Sequence, residues 1–208
     1  EFELMWMDKL SAINPSMKVW DASRNISLIP MDPDHDCGDH GHDHHHGEAD
    51  PHIWLSLNNA VIIAGNIRDA LIEIMPEQED AFRVNASRII VRLDELKRYA
   101  VERFEALENR TFLIFHPAWG YFARDFNLRQ IAAEKIGKEP TARHLNAIIR
   151  QAKKLGIKVI FASPQFSQKS AEVIAGEIKG EVVAVDPLAK DFVNNMRQVI
   201  DAFASGVR

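Results

Sequence analysis

The segment TFLIFHPAWGYF (residues 111–122) decides the fold, because it begins with a continuous apolar run that leads directly into a histidine and a proline. Similar apolar runs follow at 157–162 and 181–185, and a further strand is predicted at 128–132. Stretches with the three- and four-residue apolar spacing of helices separate them. Apolar strands that alternate with helices are typical of a parallel sheet with both faces covered. The sequence therefore predicts an α/β fold for the C-terminal half of the chain.

A long charged helix is predicted directly before this half. Residues 77–107 contain neither glycine nor proline, and their apolar positions recur at helical spacing. At ~1.5 Å per residue such a helix is about 45 Å long, enough to run the length of a two-lobed protein. We therefore interpret 77–109 as a connecting spine helix and 110–208 as a C-terminal α/β lobe.

The region before the spine, residues 1–76, is patterned differently. Its apolar spacing predicts helices at 1–10 and 58–75, but only one short strand, at 17–21. One strand cannot form a sheet. We interpret this region as the remainder of an N-terminal α/β lobe that is incomplete in this chain.

The composition excludes several functional classes. A formal net charge of -5 over 208 residues gives the chain no overall excess of positive charge, so we expect no nucleic-acid partner. Cys37 is the single cysteine, which excludes an intrachain disulfide and the cysteine-rich zinc sites. No apolar run approaches the roughly 20 residues that span a bilayer.

A histidine-rich segment at 32–47 indicates a transition metal, because imidazoles alternate there with aspartates. Ordering a flexible loop costs roughly 1–2 kcal/mol per residue in backbone entropy, so its many interchangeable ligands predict weak sites. We interpret the segment as an auxiliary metal collector, sensor or feeder, and Cys37 as an incidental thiol or an auxiliary soft ligand. The auxiliary ligands are His35, His40, His42, His44, His45 and His46.

A fixed metal site is predicted at the edge of the sheet. His116 and Asp186 each follow an apolar strand and precede a proline, and the carboxyl ends of parallel strands meet at one edge. Taken singly, such a histidine is commonly a surface residue and such an Asp-Pro pair a turn. Their joint occurrence favours a site, and His52, beside Pro51, is the third candidate ligand.

Other conspicuous side chains are assigned to the fold. His144, early in a helix for which Thr141 is the predicted N-cap, has no obvious partner in the sequence. The aromatic residues Trp119, Tyr121 and Phe122 are interpreted as packing that walls the crevice, with a docking surface as the alternative.

Three segments resemble one known family: EADPHIWLSLNNA (48–60), FHPAWGYFARDFNL (115–128) and VVAVDPLAKDFVNNMRQVIDAF (182–203). They are similar to the zinc/manganese-type substrate-binding proteins of bacterial ABC importers, and the likeness covers nearly the whole chain in order. The resemblance implies two α/β lobes with parallel sheets, joined by a rigid helix, and one metal held in the cleft between them.

The resemblance also implies a ligand set. The second, third and fourth ligands of the family fall on His52, His116 and Asp186. The histidine at the third position favours Zn²⁺ over Mn²⁺, since manganese-type members usually carry glutamate there. The family's first ligand precedes the region where this sequence starts, so we expect the chain to lack about the first third of the usual protein. Such truncation would expose an apolar edge that favours dimers or strand exchange.

The function implied by the resemblance is high-affinity zinc capture outside the cytoplasm and delivery to an ABC-type membrane permease. We expect no enzymatic activity and a periplasmic or extracellular location, with a lipid anchor as one alternative. Two other functions remain open on the residues alone. The first is a zinc hydrolase with a two-histidine, one-carboxylate open site, for which Glu134 or Glu139 would be the base to test. The second is a metal-storage or adhesin-like surface protein that relies mainly on residues 32–47.

Overall fold

The computed structural model describes residues 3–30, 49–134, 140–166 and 168–207, which form seven α-helices and four β-strands. The predicted auxiliary histidines, Cys37 and Glu139 lie outside the described residues. The helices are α1 (Leu4–Ile13), α2 (Leu57–Ile74), α3 (Glu79–Glu105), α4 (Gly120–Asp125), α5 (Ala142–Lys154), α6 (Lys169–Ile178) and α7 (Phe192–Gly206), and the strands are β1 (Thr111–Ile114), β2 (Arg129–Ala132), β3 (Val159–Ala162) and β4 (Glu181–Ala184).

The four strands form one parallel sheet in the order β2-β1-β3-β4, which confirms the predicted α/β fold. The chain runs from β1 outward to β2, and then crosses back to place β3 on the other side of β1. The strand order therefore reverses between β1 and β3. A reversal of this kind opens a crevice at the carboxyl ends of the two strands, where open α/β sheets bind their ligands.

Both faces of the sheet are covered, as the continuous apolar runs predict. Successive strand residues point to opposite faces, so Phe112 and Leu113 enter different cores. Helices α3, α4 and α7 cover the first face, where the rings of Phe112 and Phe203 stack with centroids 4.5 Å apart. Helices α5 and α6 cover the second face.

The long charged helix predicted before the sheet is confirmed as α3, which follows a short 3₁₀ turn at Pro76–Gln78. Its 27 residues make it about 40 Å long. It packs against α2 and α7, and the Tyr99 hydroxyl donates to Asp201 Oδ1 of α7 at 2.6 Å. This hydrogen bond raises the pKa of Tyr99 above its usual value.

The region before α3 contributes no strand to a sheet within its described residues. The strand predicted at 17–21 is wrong, because no described strand lies beside that segment to accept its hydrogen bonds. A single antiparallel bridge joins Pro30 to Ala49, and the Asp50 backbone N–H donates to the Ile29 carbonyl at 2.9 Å. In the part of the chain that the structure describes, no helix is both long and apolar enough to cross a membrane.

Candidate metal centre

His116 is held at the carboxyl edge of the sheet by backbone pairing. Strand β1 ends at Ile114, two residues before the histidine, although the sequence predicted a strand through Phe115. The Phe115 N–H nevertheless donates to the Phe161 carbonyl of β3 at 2.8 Å, and the Phe115 carbonyl accepts from Glu134 N–H at 2.9 Å. His116 therefore directly follows a residue whose backbone is hydrogen-bonded on both sides, next to the point where the strand order reverses.

The aromatic residues after His116 anchor this turn. Trp119, Tyr121 and Phe122 are all fully buried, which confirms the packing interpretation. The Trp119 N–H donates to Gln130 Oε1 at 2.9 Å, so the start of α4 is tied to β2.

His52 reaches the site on a loop that side-chain hydrogen bonds fix in place. Asp50 Oδ1 accepts from the His52 backbone N–H at 2.9 Å and lies 2.7 Å from His52 Nδ1. Both side chains lie in buried residues: His52 has 7% of its surface exposed and Asp50 has 5%. The Tyr121 hydroxyl donates to the Asp50 carbonyl at 2.7 Å and accepts from the Ile29 N–H at 3.2 Å. The loop is therefore fastened to α4.

The helix that follows His52 is also tied to α4. Ser56 is the N-cap of α2, and its hydroxyl accepts from the Asn59 N–H at 2.9 Å. The same hydroxyl donates to Asp125 Oδ2 at 2.6 Å. A partly buried carboxylate contact at the C-terminal end of α4 thus sets where α2 begins.

The structure brings His52 and His116 together. Their ring centroids are 5.3 Å apart, and the rings are nearly perpendicular at 78°. Each imidazole has a carboxylate on Nδ1, because Glu134 Oε2 lies 3.2 Å from His116 Nδ1. A carboxylate only accepts hydrogen bonds, so this contact favours the tautomer whose Nε2 carries the metal-binding lone pair.

The surroundings of His116 favour its neutral form. Burial lowers the pKa of His116 below its usual value, although the hydrogen bond and the charge of Glu134 oppose that shift. A neutral imidazole is the form that binds a metal ion. Glu134, considered in the sequence only as a catalytic base, is instead placed to orient a histidine.

Asp186 lies two residues beyond β4 and is engaged with its neighbours. Its Oδ1 accepts from the Leu188 N–H at 2.8 Å and from Gln165 Nε2 at 2.6 Å. The next residue, Pro187, accepts a hydrogen bond from Trp54 Nε1 at 3.0 Å, and the Trp54 ring is 5.4 Å from that of His52. The Asp186 turn therefore adjoins the segment that carries His52.

The described residues do not bring the three predicted ligands into one ready cluster. Among residues 3–30, 49–134, 140–166 and 168–207, no three His, Cys, Asp or Glu side chains are grouped so that they could hold a metal ion. The assignment of His52, His116 and Asp186 as one ligand set stays a prediction. His144 lies in the first turn of α5, where its N–H donates to the predicted cap Thr141.

Three side chains near the candidate ligands were missed in the sequence. Asp50 precedes His52 by two residues, so the sequence DPH (50–52) contains a local signal for the contact between this carboxylate and the histidine. Gln165 and Phe166 follow β3, and the Phe166 ring lies 4.9 Å from that of His116. The strand-end rule that selected His116 and Asp186 also applies to β3, but glutamine and phenylalanine are not metal ligands.

Comparison with known proteins identifies relatives over nearly the full chain. Residues 1–206 match the family described as ZnuA, zinc-uptake complex component A, periplasmic. The zinc-binding protein AdcA of Streptococcus pyogenes serotype M3 is 32% identical over 168 residues, which cover 71% of this chain and 33% of AdcA. The chain thus spans about a third of the length of this curated relative.

Solved structures give the same result. The crystal structure of ZnuA is 36% identical with a TM-score of 0.89, and the match covers 100% of this chain and 76% of that one. A ZnuA deletion mutant with zinc bound is also 36% identical, with a TM-score of 0.87 and coverage of 99% and 75%. The chain belongs to the ZnuA family of zinc-type substrate-binding proteins of ABC importers, as its three characteristic segments predict.

Proposed function

We propose that this protein captures Zn²⁺ outside the cytoplasm and delivers it to an ABC-type membrane permease. Family membership over residues 1–206 supports the transport role, and the printed names of its relatives support zinc as the cargo. The observation that carries the proposal is the pair of adjacent imidazoles, one buried (His52) and one partly buried (His116), whose ring centroids are 5.3 Å apart and each of which has a carboxylate on Nδ1.

The donor set suits zinc. Two imidazole nitrogens and a carboxylate oxygen are ligands that Zn²⁺ accepts readily, whereas Mn²⁺ prefers oxygen. Because Nδ1 of His52 and Nδ1 of His116 face carboxylates, each would coordinate through Nε2. Asp186 is the proposed oxygen ligand. Its turn adjoins the His52 segment, because the Pro187 carbonyl accepts a hydrogen bond from Trp54 Nε1.

The proposed arrangement is a cleft between an N-terminal lobe, of which residues 1–76 are a part, and the C-terminal lobe of residues 110–208. The spine of residues 77–109 would join the two lobes. Residues 32–47 would serve as an auxiliary collector that feeds the fixed site. The family description supports a periplasmic location.

The hydrolase alternative is disfavoured by the position of its proposed base. Glu134 Oε2 lies 3.2 Å from His116 Nδ1, and the Glu134 N–H is paired with the Phe115 carbonyl. A carboxylate committed to orienting a ligand is poorly placed to deprotonate a metal-bound water.

The test is zinc affinity measured by competition with a chromophoric chelator. His116→Ala and His52→Ala should each weaken binding by about 100-fold or more, since removal of a ligand should exceed the 10–100-fold typical of outer-shell partners. His144→Ala is the histidine control, because His144 is not among the predicted ligands of the fixed site, and it should bind zinc as the parent does. Parent affinity in the His116→Ala protein would refute the proposed site.

A second experiment separates transport from storage. Deletion of residues 32–47 should leave one tight zinc site per chain if the segment is a feeder. Loss of most bound zinc after this deletion would favour the storage alternative. Metal content of the purified protein, with and without the segment, decides between them.

A further inference from the structure

The loop that follows β3, Ser163 to Phe166, lies between the two strand-end ligand candidates, and we call it the 163–166 loop. In the sheet β3 lies between β1 and β4, so the loop stands between His116 after β1 and Asp186 after β4. Two of its side chains contact those candidates: Phe166 contacts His116, and Gln165 contacts Asp186. None of the loop residues carries an imidazole, thiolate or carboxylate, the side chains that zinc prefers.

The Gln165 amide has one orientation in this loop. Its Nε2 donates to Asp186 Oδ1 at 2.6 Å, and its Oε1 accepts from the Ser163 hydroxyl. Since a carboxylate can only accept, the amide nitrogen must face Asp186 and the amide oxygen must face Ser163. Ser163 is itself buried, with 6% of its surface exposed, so the amide is anchored at its far side.

At Asp186, the Gln165 amide and the Leu188 backbone N–H both donate to the same carboxylate oxygen, Oδ1. The Leu188 N–H donates to Oδ1 at 2.8 Å, beside the Gln165 contact. The two hydrogen bonds define the rotation of the carboxylate about its Cβ–Cγ bond. Oδ2 is then the oxygen left to bind a cation, which favours coordination through a single oxygen.

Phe166 acts on the other side of the loop. Its ring centroid lies 4.9 Å from that of His116, and the two planes are tilted by 32°. With Glu134 at Nδ1, the imidazole is restrained at its edge and on its face. One loop therefore restrains a nitrogen ligand candidate and an oxygen ligand candidate that come from different strands.

We propose that Gln165 is a positioning residue that holds Asp186 in the orientation for single-oxygen coordination of zinc, with Phe166 restraining His116 from the same loop. The inference rests on the proposed zinc-binding function. A carboxylate held through Oδ1 suits the low coordination number of zinc, whereas Mn²⁺ prefers more oxygen donors. Gln165 therefore contributes to the preference for zinc over manganese as well as to affinity.

The direct test is Gln165→Leu, which removes the amide donor and keeps much of the side-chain volume. Zinc affinity should fall by about 10-fold or more, within the range of outer-shell substitutions. The ratio of zinc to manganese affinity should fall as well, which a merely structural role would not produce. Gln168→Leu is the matched control, because Gln168 is exposed near the loop and its side chain makes no cap hydrogen bond at α6. It should match the parent in both measurements.

A double-mutant cycle tests whether the effect passes through the carboxylate. In an Asp186→Asn background, Gln165→Leu should cause little further loss of zinc affinity, because the two residues act as one unit. Ser163→Ala provides a second variant that leaves Gln165 in place. This variant removes the hydroxyl that donates to Gln165 Oε1, and its zinc affinity should fall, but by less than that of Gln165→Leu.

The outcomes separate this inference from the proposed function. If Gln165→Leu matches Gln168→Leu while His116→Ala loses zinc, the positioning role is refuted and the zinc site stands. Additive losses in the Asp186→Asn background also refute the positioning role. If His116→Ala retains the parent affinity, both proposals fail.

Discussion

The two histidines of the candidate metal centre come from regions of contrasting construction. His116 leaves a complete parallel sheet, where backbone hydrogen bonds on both sides determine its position. His52 comes from a region whose described residues contain no sheet strand, and it is held by the Asp50 carboxylate, while the Asp50 backbone carbonyl is held by the Tyr121 hydroxyl. A ligand can thus be fixed either by many shared backbone contacts or by a few dedicated side chains.

The contrast has an energetic consequence. Loss of one side chain from a sheet leaves the ladder of backbone hydrogen bonds in place, so the ligand should keep its position. The His52 loop depends on single groups, each of which contributes on the order of 1 kcal/mol to stability. We therefore expect substitutions that disturb the packed backbone of the sheet to change mainly folding, and substitutions of the side chains that hold His52 to change mainly metal binding.

The largest expected effect is on the sheet. In Gly180→Ala, the new Cβ would lie 1.8 Å from the Lys158 carbonyl oxygen, so the backbone between β3 and β4 must shift. The unfolding free energy should fall by about 3 kcal/mol, at the upper end for overpacking. Urea denaturation measures this effect. Gly176→Ala, where nothing lies within 4 Å of the new Cβ, is the control and should not be destabilised.

The second effect compares the two carboxylates. Asp50→Ala removes the acceptor for both His52 Nδ1 and its backbone N–H, whereas Glu134→Ala removes only a longer contact of 3.2 Å to His116. Zinc affinity should fall by about 10–100-fold in the first variant and by less in the second. Chelator competition measures both variants. A larger loss in Glu134→Ala would contradict the contrast between the two regions.

Tyr121→Phe should have a smaller effect. It leaves the Asp50 carbonyl and the Ile29 N–H without the hydroxyl that each one contacts. The unfolding free energy should fall by about 1–2 kcal/mol, and zinc affinity should fall less than in Asp50→Ala. Thermal and urea denaturation, alongside zinc competition, provide the two measurements. Unchanged stability would show that the loop is held without this hydroxyl.

The smallest effect concerns the spine. Tyr99→Phe removes the hydrogen bond to Asp201 at a solvent-accessible position, so stability should fall by at most about 0.5 kcal/mol after screening. Because this bond raises the pKa of Tyr99, its contribution is present below pH 10.0 and is lost as pH rises through the higher folded value. Denaturation from neutral to alkaline pH should show the parent and Tyr99→Phe converging. A constant difference would argue against the bond.

Much of the fold could be predicted from residue patterns. The strands around Phe112, Ile160 and Val183 are apolar runs, and the spine has a long helical stripe without glycine or proline. The short strand predicted at 17–21 was wrong because strand formation depends on a partner that a local pattern does not reveal. The order β2-β1-β3-β4 was not predicted, since crossovers between strands leave little local signal.

The site was predicted only in part. The strand-end rule selected His116 and Asp186, and the structure places His52 beside His116. The rule looked for ligand chemistry, so it passed over Gln165 and Phe166 at the end of the neighbouring strand. The carboxylates of Asp50 and Glu134 were not recognised as orienting groups, because their role depends on distances that only the folded chain defines. The three-residue ligand set and the domain limits remain predictions.

The antiparallel bridge between Pro30 and Ala49 has a consequence for how this protein can vary. The residues between them, which include the histidine-rich segment, enter and leave the fold at adjacent points, one residue from Asp50. For a segment whose two ends are held together by such a bridge, each doubling of length costs only about 0.6 kcal/mol in closure entropy. A change of length between Pro30 and Ala49 should therefore place little strain on the paired imidazoles, so the number of residues at this point can differ without altering the metal centre.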